Sequence, residues 1–300
     1  MSPRILLPSP LDSAAFTRAD ALARGLGKKR VDGPDLLRPF HGVRHPAAIA
    51  LTFEARCRAL ALRVPATAFF NSTSAARIMG LPLPLSLLED SRVHVAVVAP
   101  ARAPSGRGVI GHQVAPMGGD ARTWHGLRVS SPERVWCELG TVLDVSDLVA
   151  VGDYLIHWRR PFCTTDDLAD AMLRYPGRRG RRTLTAAHRL LNERSESPQE
   201  SRLRVLLLAA GVEGLAANLV ITVRGRNYRA DLALPRWKVA IEYQSDYHRE
   251  TAQWRRDMSK REEIATVGWR TMEVNADDLH PGGGLADRVR AVIADRPDFA

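Results

Sequence analysis

The chain has 300 residues, enough for two or three domains with their own cores, and its content of 45% hydrophobic and 25% charged residues excludes disordered and fibrous classes. Its formal net charge of +10 favours a polyanionic partner, of which nucleic acid is the commonest. No apolar run reaches the roughly 18 residues of a membrane helix, and the N-terminus lacks the apolar core of a signal peptide, so we expect a cytoplasmic protein without membrane contact.

Residues 1–50 have the element order of a winged helix-turn-helix. Thr17 and Asp20 predict a capped short helix that ends at Gly25, and a basic helix and a small hairpin follow. In that arrangement the cations of this segment would face phosphates, and they are Lys28, Lys29, Arg30, Arg38, Arg44 and His45. A small helical subdomain with solvated cations explains the spacing equally well.

Residues 51–195 predict a mixed α/β domain without the spacing of a catalytic site. An alternating β-branched run at 92–99 predicts a strand, and Ser131 followed by Pro132 predicts a helix start. The arginine run at 178–182 fits either a solvated linker or a phosphate contact. The three widely spaced cysteines indicate buried thiols rather than a zinc site.

Residues 196–300 predict the order helix, three strands, helix, strand and closing helix. Ser197 and Pro198 mark the start of the first helix, and Gly211 marks its end. The strands are predicted at ANLVITVR, NYRADLAL, WKVAIEYQ and WRTMEV. The helix between the third and fourth strands is predicted over RETAQWRRDMSKREEIATVG.

Two carboxylates fall late in neighbouring strands of this segment. If the strands form an antiparallel hairpin, Asp231 and Glu242 lie on one sheet face, and Gln244 shares that face. Close carboxylates repel each other unless a cation bridges them, and Mg²⁺ is held by one or two carboxylates. The pattern therefore predicts that Asp231 and Glu242 bind Mg²⁺ or Mn²⁺.

Further polar residues surround this pair in the sequence. Glu200 at the start of the first helix could add an acidic oxygen, and His248 could donate or relay a proton. The cations of the following helix are candidate phosphate contacts, and they are Arg255, Arg256, Lys260 and Arg261. For Arg261, an intrahelical pair with Asp257 is the simpler alternative.

These residues resemble a known family. A Glu that opens a helix, an Asp, and Glu-x-Gln on the next strand, within an αβββαβ order over about 197–280, resemble the PD-(D/E)XK nuclease superfamily. The continuation EYQSDYH, then WRRDM and GWR, is similar to its Vsr-like endonuclease branch. Residues 13–160 resemble the N-terminal region of AbiEi-type antitoxins, a winged helix followed by a mixed domain.

The resemblance implies an α/β (α+β) protein with three parts: a winged helix-turn-helix at 1–50, a mixed domain at 51–195 and a PD-(D/E)XK nuclease-like domain at 196–300. It implies that the catalytic residues are Glu200, Asp231, Glu242, Gln244 and His248. One departure is Gln244-Ser245, which stands where the branch has Asp-Gly. Glutamine cannot ionise, so it adds no charge to a metal site.

Two functions of different classes follow. The first is a metal-dependent DNA endonuclease that nicks or cuts phosphodiester bonds in repair or defence. The second is a non-catalytic DNA-binding regulator of antitoxin type that keeps the nuclease-like domain as a scaffold. An RNA-directed nuclease ranks lower because no aromatic stacking platform is evident in the sequence. The oligomeric state is open, with a homodimer among the options.

Overall fold

The computed structural model describes residues 6–116, 119, 121–244, 260–280 and 282–299. Helices and three separate sheets make up a mixed α/β protein, which confirms the predicted fold class. The chain divides into two compact units: unit 1 is 1–139 with 174–176, and unit 2 is 140–173 with 177–300. The predicted boundary at 195/196 therefore lies inside unit 2. None of the described helices is long and apolar enough to cross a membrane.

Unit 1 begins with a small three-stranded sheet and two short helices. In chain order these are β1 (Phe16–Thr17), α1 (Arg18–Ala23), α2 (Lys28–Val31), β2 (Leu36–Leu37) and β3 (Val43–Pro46). The sheet order is β1-β3-β2, and both pairings are antiparallel. The Thr17 hydroxyl caps α1 by accepting the Asp20 N–H at 3.0 Å, as predicted. Helix α2 has only four residues, which is about 6 Å and shorter than a typical recognition helix.

A five-stranded sheet forms the rest of unit 1. Its elements are α3 (Phe53–Ala61), β4 (Phe69–Phe70), α4 (Ser72–Met79), α5 (Leu85–Glu89), β5 (Val93–Val98), β6 (Val109–Val114), β7 (Ala121–Trp124), β8 (Leu127–Ser130) and α6 (Pro132–Leu139). The sheet order is β6-β5-β4-β8-β7. The strand predicted at 92–99 is β5. Strand β4 was not predicted, because two residues are too few to show an alternating pattern.

Unit 2 starts with four helices. They are α7 (Val145–Leu155), α8 (Thr165–Arg174), α9 (Arg181–His188) and α10 (Pro198–Ala209). Helix α9 starts at Arg181, so part of the predicted linker at 178–182 is helical. Helix α10 is capped by Ser197, whose hydroxyl accepts the Glu200 N–H at 3.1 Å. A buried ion pair between Arg204 and Asp153, at 2.7 Å, joins α10 to α7.

The second part of unit 2 is a four-stranded sheet. Its elements are β9 (Ala216–Val223), β10 (Arg226–Leu234), β11 (Val239–Tyr243), the helical segment 260–265 (α11), β12 (Arg270–Val274) and α12 (Leu285–Ala294). The order is β12-β11-β10-β9; β9, β10 and β11 pair antiparallel, and β11 and β12 pair parallel. Arg224 and Gly225 form a two-residue hairpin turn with φ values of 48° and 78°, as a type I′ turn requires.

The two faces of this sheet carry separate apolar clusters. Leu232, Leu234, Val239 and Ile241 pack with Leu203 and Leu207 of α10 and with Val289 of α12. Ala233 and Ala240 lie on the opposite face, in a cluster with Ile264 of α11. Both faces of the sheet are therefore covered. Polar side chains on the face beneath α11 are shielded from water, so they need hydrogen-bond or ion-pair partners within the protein.

Candidate functional site

A row of polar residues crosses the four-stranded sheet of unit 2. The register pairs Leu232 with Ile241 on β11 and with Ala217 on β9. One step back along β10, Asp231 therefore lies between Asn218 and Glu242. Glu242 is in turn the register partner of Glu273 on β12. We call these four neighbouring residues, the amide Asn218 and the carboxylates Asp231, Glu242 and Glu273, the carboxylate row.

The row faces α11. Side chains alternate between the two faces of a strand, and Leu232 and Ile241 face the α10 and α12 cluster. Asp231 and Glu242 therefore point to the other face, where Ile264 is buried. The hairpin thus brings the two carboxylates to one face, as the sequence spacing predicted.

Asp231 is a half-buried carboxylate held by the backbone of the next strand. Its Oδ2 accepts the Tyr243 N–H at 2.8 Å. Burial raises its pKa, and the Tyr243 hydrogen bond together with the positive charges of Lys260 and Arg229 offsets part of that rise. Such a group favours a bound cation, because a cation compensates the cost of a charged carboxylate away from water.

Glu200 joins the row from α10. It is 7% exposed, and its Oε2 accepts the Glu196 N–H at 2.9 Å and the Asn218 amide at 2.8 Å. Burial raises its pKa, and the negative charge of Asp231 raises it further. Helix α10 therefore places Glu200 near Asp231, and Asn218 connects the two elements.

Lys260 lies inside the site. Its Nζ donates to Glu242 Oε1 at 2.8 Å and to the Arg229 carbonyl oxygen, also at 2.8 Å. Lys260 was predicted to contact DNA, and its ammonium lies in the carboxylate cluster instead. The physical reason is that α11 covers this face of the sheet, so its first described turn lies beside Glu242.

Gln244 and Arg261 both contact Glu273. The Gln244 side-chain amide donates to Glu273 Oε1 at 2.9 Å, and Arg261 forms an ion pair with the same carboxylate. The predicted phosphate contact at Arg261 is therefore already paired within the unit. Glu273 was missed because its only sequence signal is its position in a strand, whose pairing with β11 could not be known.

Glu196 is a second residue that the sequence did not reveal. Its carboxylate pairs with Arg229 at 2.6 Å, and its backbone N–H holds Glu200. Glu196 precedes the helix cap Ser197 and belongs to no motif. Among the other candidates, His248, Arg255 and Arg256 lie outside the described residues.

The carboxylate row fits a hard divalent ion in its chemistry. Across the described ranges, no three His, Cys, Asp or Glu side chains are arranged as a metal-binding group. Mg²⁺ needs only one or two protein carboxylates, because water and substrate phosphate complete its octahedron. Asp231 and Glu242 offer carboxylate oxygens from neighbouring strands, and the raised pKa of Asp231 is consistent with a group that gains from a cation.

Two of the predicted DNA contacts in unit 1 have structural partners. Arg30 makes a bidentate contact with Asp35 at 3.2 and 3.1 Å. Arg44 is 6% exposed, donates to the Val31 carbonyl oxygen at 2.9 Å and pairs with Asp32. The expectation that Arg30 and Arg44 face phosphates is therefore corrected, because both guanidinium groups hold the N-terminal segment together.

Three of the other predicted contacts in this segment are accessible, whereas His45 is buried at 2% exposure. Lys28, Lys29 and Arg38 are exposed, and Arg38 donates to the Asp32 carbonyl oxygen at 3.1 Å. Hydrogen bonds from Arg44 and Arg18 lower the pKa of Asp32 to about 2. Asp32 is therefore the anion around which the cations of this segment are arranged.

A basic cleft of about 780 Å³ lies in unit 1. Its basic lining residues are Arg18, Arg38, His41, Arg44, Arg63, Arg102 and Arg107, and none of the lining residues that the structure describes is acidic. Arg63, Arg102 and Arg107 are exposed and form no ion pair with any residue that the structure describes. The sequence did not reveal this cleft because its cations are scattered over some ninety positions. We call it the basic cleft.

Comparison with known proteins gives distant relatives. No family model matches the chain. The "Uncharacterized protein MT2308" and "Uncharacterized protein Rv2248", from two strains of Mycobacterium tuberculosis, are each 29% identical over 135 residues, which is 42% of this chain and 48% of the relative. The chain thus spans about half the length of the curated relatives it matches.

One solved structure is similar to part of the chain. It is described as "Crystal structure of RV2827C protein from Mycobacterium tuberculosis", with 18% sequence identity and a TM-score of 0.40. The match covers 64% of this chain and 76% of that chain. A similarity of this extent supports no inference about function.

Proposed function

We propose that the protein is a metal-dependent DNA endonuclease that hydrolyses, and most simply nicks, phosphodiester bonds. The observation that carries the proposal is the carboxylate row with Lys260 bound to Glu242. Two carboxylates and a lysine ammonium on one sheet face supply the groups that metal-assisted phosphodiester hydrolysis needs. The resemblance to PD-(D/E)XK nucleases supports the same reaction class.

In this proposal Asp231 and Glu242 hold Mg²⁺ or Mn²⁺. When bound, the ion supplies Lewis acidity and lowers the pKa of a water molecule. Lys260 approaches from α11 and brings the positive charge that Gln244, which cannot ionise, does not provide. Its ammonium would stabilise negative charge that develops on the phosphate. Glu200 is a positioning residue, because it fixes Asn218 beside Asp231.

Cleavage of supercoiled plasmid and of mismatched linear duplex with Mg²⁺ or Mn²⁺ tests the proposal. We expect wild-type protein to nick or cut DNA, and we expect Asp231→Asn, Glu242→Gln and Lys260→Gln each to lose about 10²-fold or more, as removal of a charge-stabilising group does. Lys238→Gln is the matched control, since Lys238 belongs to the same unit but donates to the Val267 carbonyl oxygen. Equal loss in the control would contradict the role of Lys260.

A non-catalytic DNA-binding regulator is the second candidate. The observation that favours it is that Lys260 already compensates Glu242 without a metal, while Gln244 is engaged with Glu273. In this case wild-type protein would bind DNA and leave it intact with either metal. DNA binding would then be the whole activity, carried by unit 1 through the basic cleft or through Lys28, Lys29 and Arg38.

A further inference from the structure

A pocket of about 510 Å³ opens in unit 2 next to Glu196, and aromatic rings form its apolar wall. The rings of Tyr154 and Phe162 stack with centroids 5.9 Å apart and an interplanar angle of 25°. Tyr154 is 40% exposed, although it lies at the end of a helix that is otherwise largely buried. The pocket has the size of a small-ligand site and is large enough for a nucleobase.

A third aromatic ring, that of Trp158, lies beside the pocket-lining His157, with ring centroids 6.3 Å apart. Trp158 is 44% exposed, and the guanidinium carbons of Arg159 and Arg194 lie 4.6 and 5.8 Å from its ring centroid. Exposed aromatic faces interleaved with arginines are the arrangement on which bases of single strands stack, because each ring accepts a base and each arginine attracts the backbone.

Glu196 connects the pocket with the carboxylate row. It lines the pocket, pairs with Arg229 and donates its N–H to Glu200. Its buried Oε1 accepts no hydrogen bond from the described residues, and it forms a long ion pair of 3.5 Å with Arg159. A buried carboxylate oxygen without a donor is costly, and the exocyclic amino group of a base is a suitable donor.

We propose that this pocket binds an unpaired nucleobase of the DNA strand whose backbone lies at the carboxylate row. The ligand class is single-stranded or locally opened DNA, with Tyr154 and Trp158 as stacking residues and Glu196 as the acceptor for a base amino group. The proposal rests on the proposed function and deepens it. No aromatic platform is evident in the sequence, because the rings of Tyr154 and Phe162 come together only in the fold.

The test compares two strands of equal length and charge, one with bases and one made of abasic deoxyribose phosphates. Binding is measured by fluorescence anisotropy with divalent ions chelated, so that no cleavage occurs. We expect wild-type protein to prefer the base-bearing strand by about tenfold or more, the contribution of one stacked base. The double variant Tyr154→Leu/Trp158→Leu should lose this preference and retain its affinity for the abasic strand.

Phe299→Leu is the matched control. Phe299 is 43% exposed and lies under Lys238 and Arg296, so it is an aromatic ring flanked by two cations in the same unit. This variant should keep the preference, and unfolding curves should show that all variants fold. Equal wild-type affinity for the two strands, or an unchanged preference in the double variant, would overturn the proposal.

The nuclease proposal can fail separately. If wild-type protein prefers the base-bearing strand but leaves plasmid intact with Mg²⁺ and Mn²⁺, the base-pocket proposal stands and the nuclease proposal is wrong. If wild-type protein cuts DNA but shows no preference between the strands, the nuclease proposal stands and the base-pocket proposal is wrong. A duplex of the same sequence is the third arm, and it should compete less well than the single strand because its bases are paired.

Discussion

At the residue scale, Asp231 is a proposed metal ligand whose buried charge destabilises the folded protein. Burial raises the pKa of Asp231 in the folded protein, so this carboxyl group ionises at lower pH in the unfolded chain. The free energy of unfolding therefore falls as the pH rises past 3.8, the pKa of the unfolded chain. Near neutral pH the charged form therefore weakens the fold. A carboxylate that carries such a cost is typical of groups that serve a site rather than a core.

We therefore predict that Asp231→Asn abolishes cleavage while its melting temperature stays equal to or above that of wild-type protein. The asparagine Oδ1 can still accept the Tyr243 N–H, and the buried charge is gone. Differential scanning fluorimetry at neutral pH measures this. Added Mg²⁺ should stabilise only the wild-type protein, by about 1.4 kcal/mol at about ten times Kd. A metal-induced shift of equal size in Asp231→Asn would contradict its role as a ligand.

The candidate site could be predicted in part. The position of Asp231 and Glu242 on one sheet face was predicted because hairpin spacing fixes which residues share a face, and their role as metal ligands stays a prediction. Lys260 was misplaced, since its partner depends on how α11 crosses the sheet. Arg30 and Arg44 were misplaced because a cation in a sequence does not show whether Asp35 or Asp32 will pair with it.

At the element scale, two histidines join neighbouring strands of unit 1. His94 on β5 and His112 on β6 stack with ring centroids 5.2 Å apart, and His94 Nδ1 lies 3.0 Å from His112 Nε2. Burial and the neighbouring His112 lower the pKa of His94 to about 4 from an ordinary 6.5, and burial lowers the pKa of His112. One shared proton fits between the rings, and further protonation opposes their contact.

We predict an acid-sensitive unit 1. Because the folded pKa of His94 is depressed, its contribution is present above pH 6.5 and is lost as pH falls towards about 4. After allowance for partial exposure, the loss is about 1–2 kcal/mol. As the pH is lowered between these two values, the melting temperature of His94→Gln should fall less steeply than that of wild-type protein. His125→Gln, at an exposed histidine of the same unit, is the control, and equal flattening there would contradict the assignment.

Elements with strong end signals were predicted well. The caps at Thr17 and Ser197 mark true helix starts, because capping is a local interaction. Strand β4 and the start of α9 depend on tertiary partners. The Arg204–Asp153 ion pair that joins α10 to α7 is likewise a contact between distant residues that no local pattern indicates.

At the scale of the whole molecule, the cations differ in how they are used. Some of the 43 Lys and Arg side chains form ion pairs within the protein, whereas Arg63, Arg102 and Arg107 of the basic cleft form none with the residues that the structure describes. We expect the cleft to provide most of the salt-sensitive affinity for a nucleic acid strand, because phosphate contacts release counterions.

The triple variant Arg63→Gln/Arg102→Gln/Arg107→Gln should therefore lower the slope of log affinity against log salt by about 2, at about 0.7 per contact with a single strand. The control is Arg24→Gln/Lys28→Gln/Lys29→Gln, which removes the same charge from exposed positions at the end of α1 and on α2. Fluorescence anisotropy over a salt series gives both slopes. A larger decrease of the slope in the control variant would mean that the N-terminal helices, and not the basic cleft, make most of the phosphate contacts.

The parallel pairing of β11 with β12 has a consequence for protein synthesis. A chain leaves the ribosome N-terminus first, at about 5–20 residues per second. A nascent chain that ends at Tyr243 carries Glu200, Asp231 and Glu242 but has neither Lys260 nor Glu273. The cation that completes the row and the strand that closes the sheet are made after the three carboxylates. The proposed nuclease would therefore stay inactive until Lys260 and Glu273 have been synthesised, and shorter nascent chains would be harmless to nucleic acids around them.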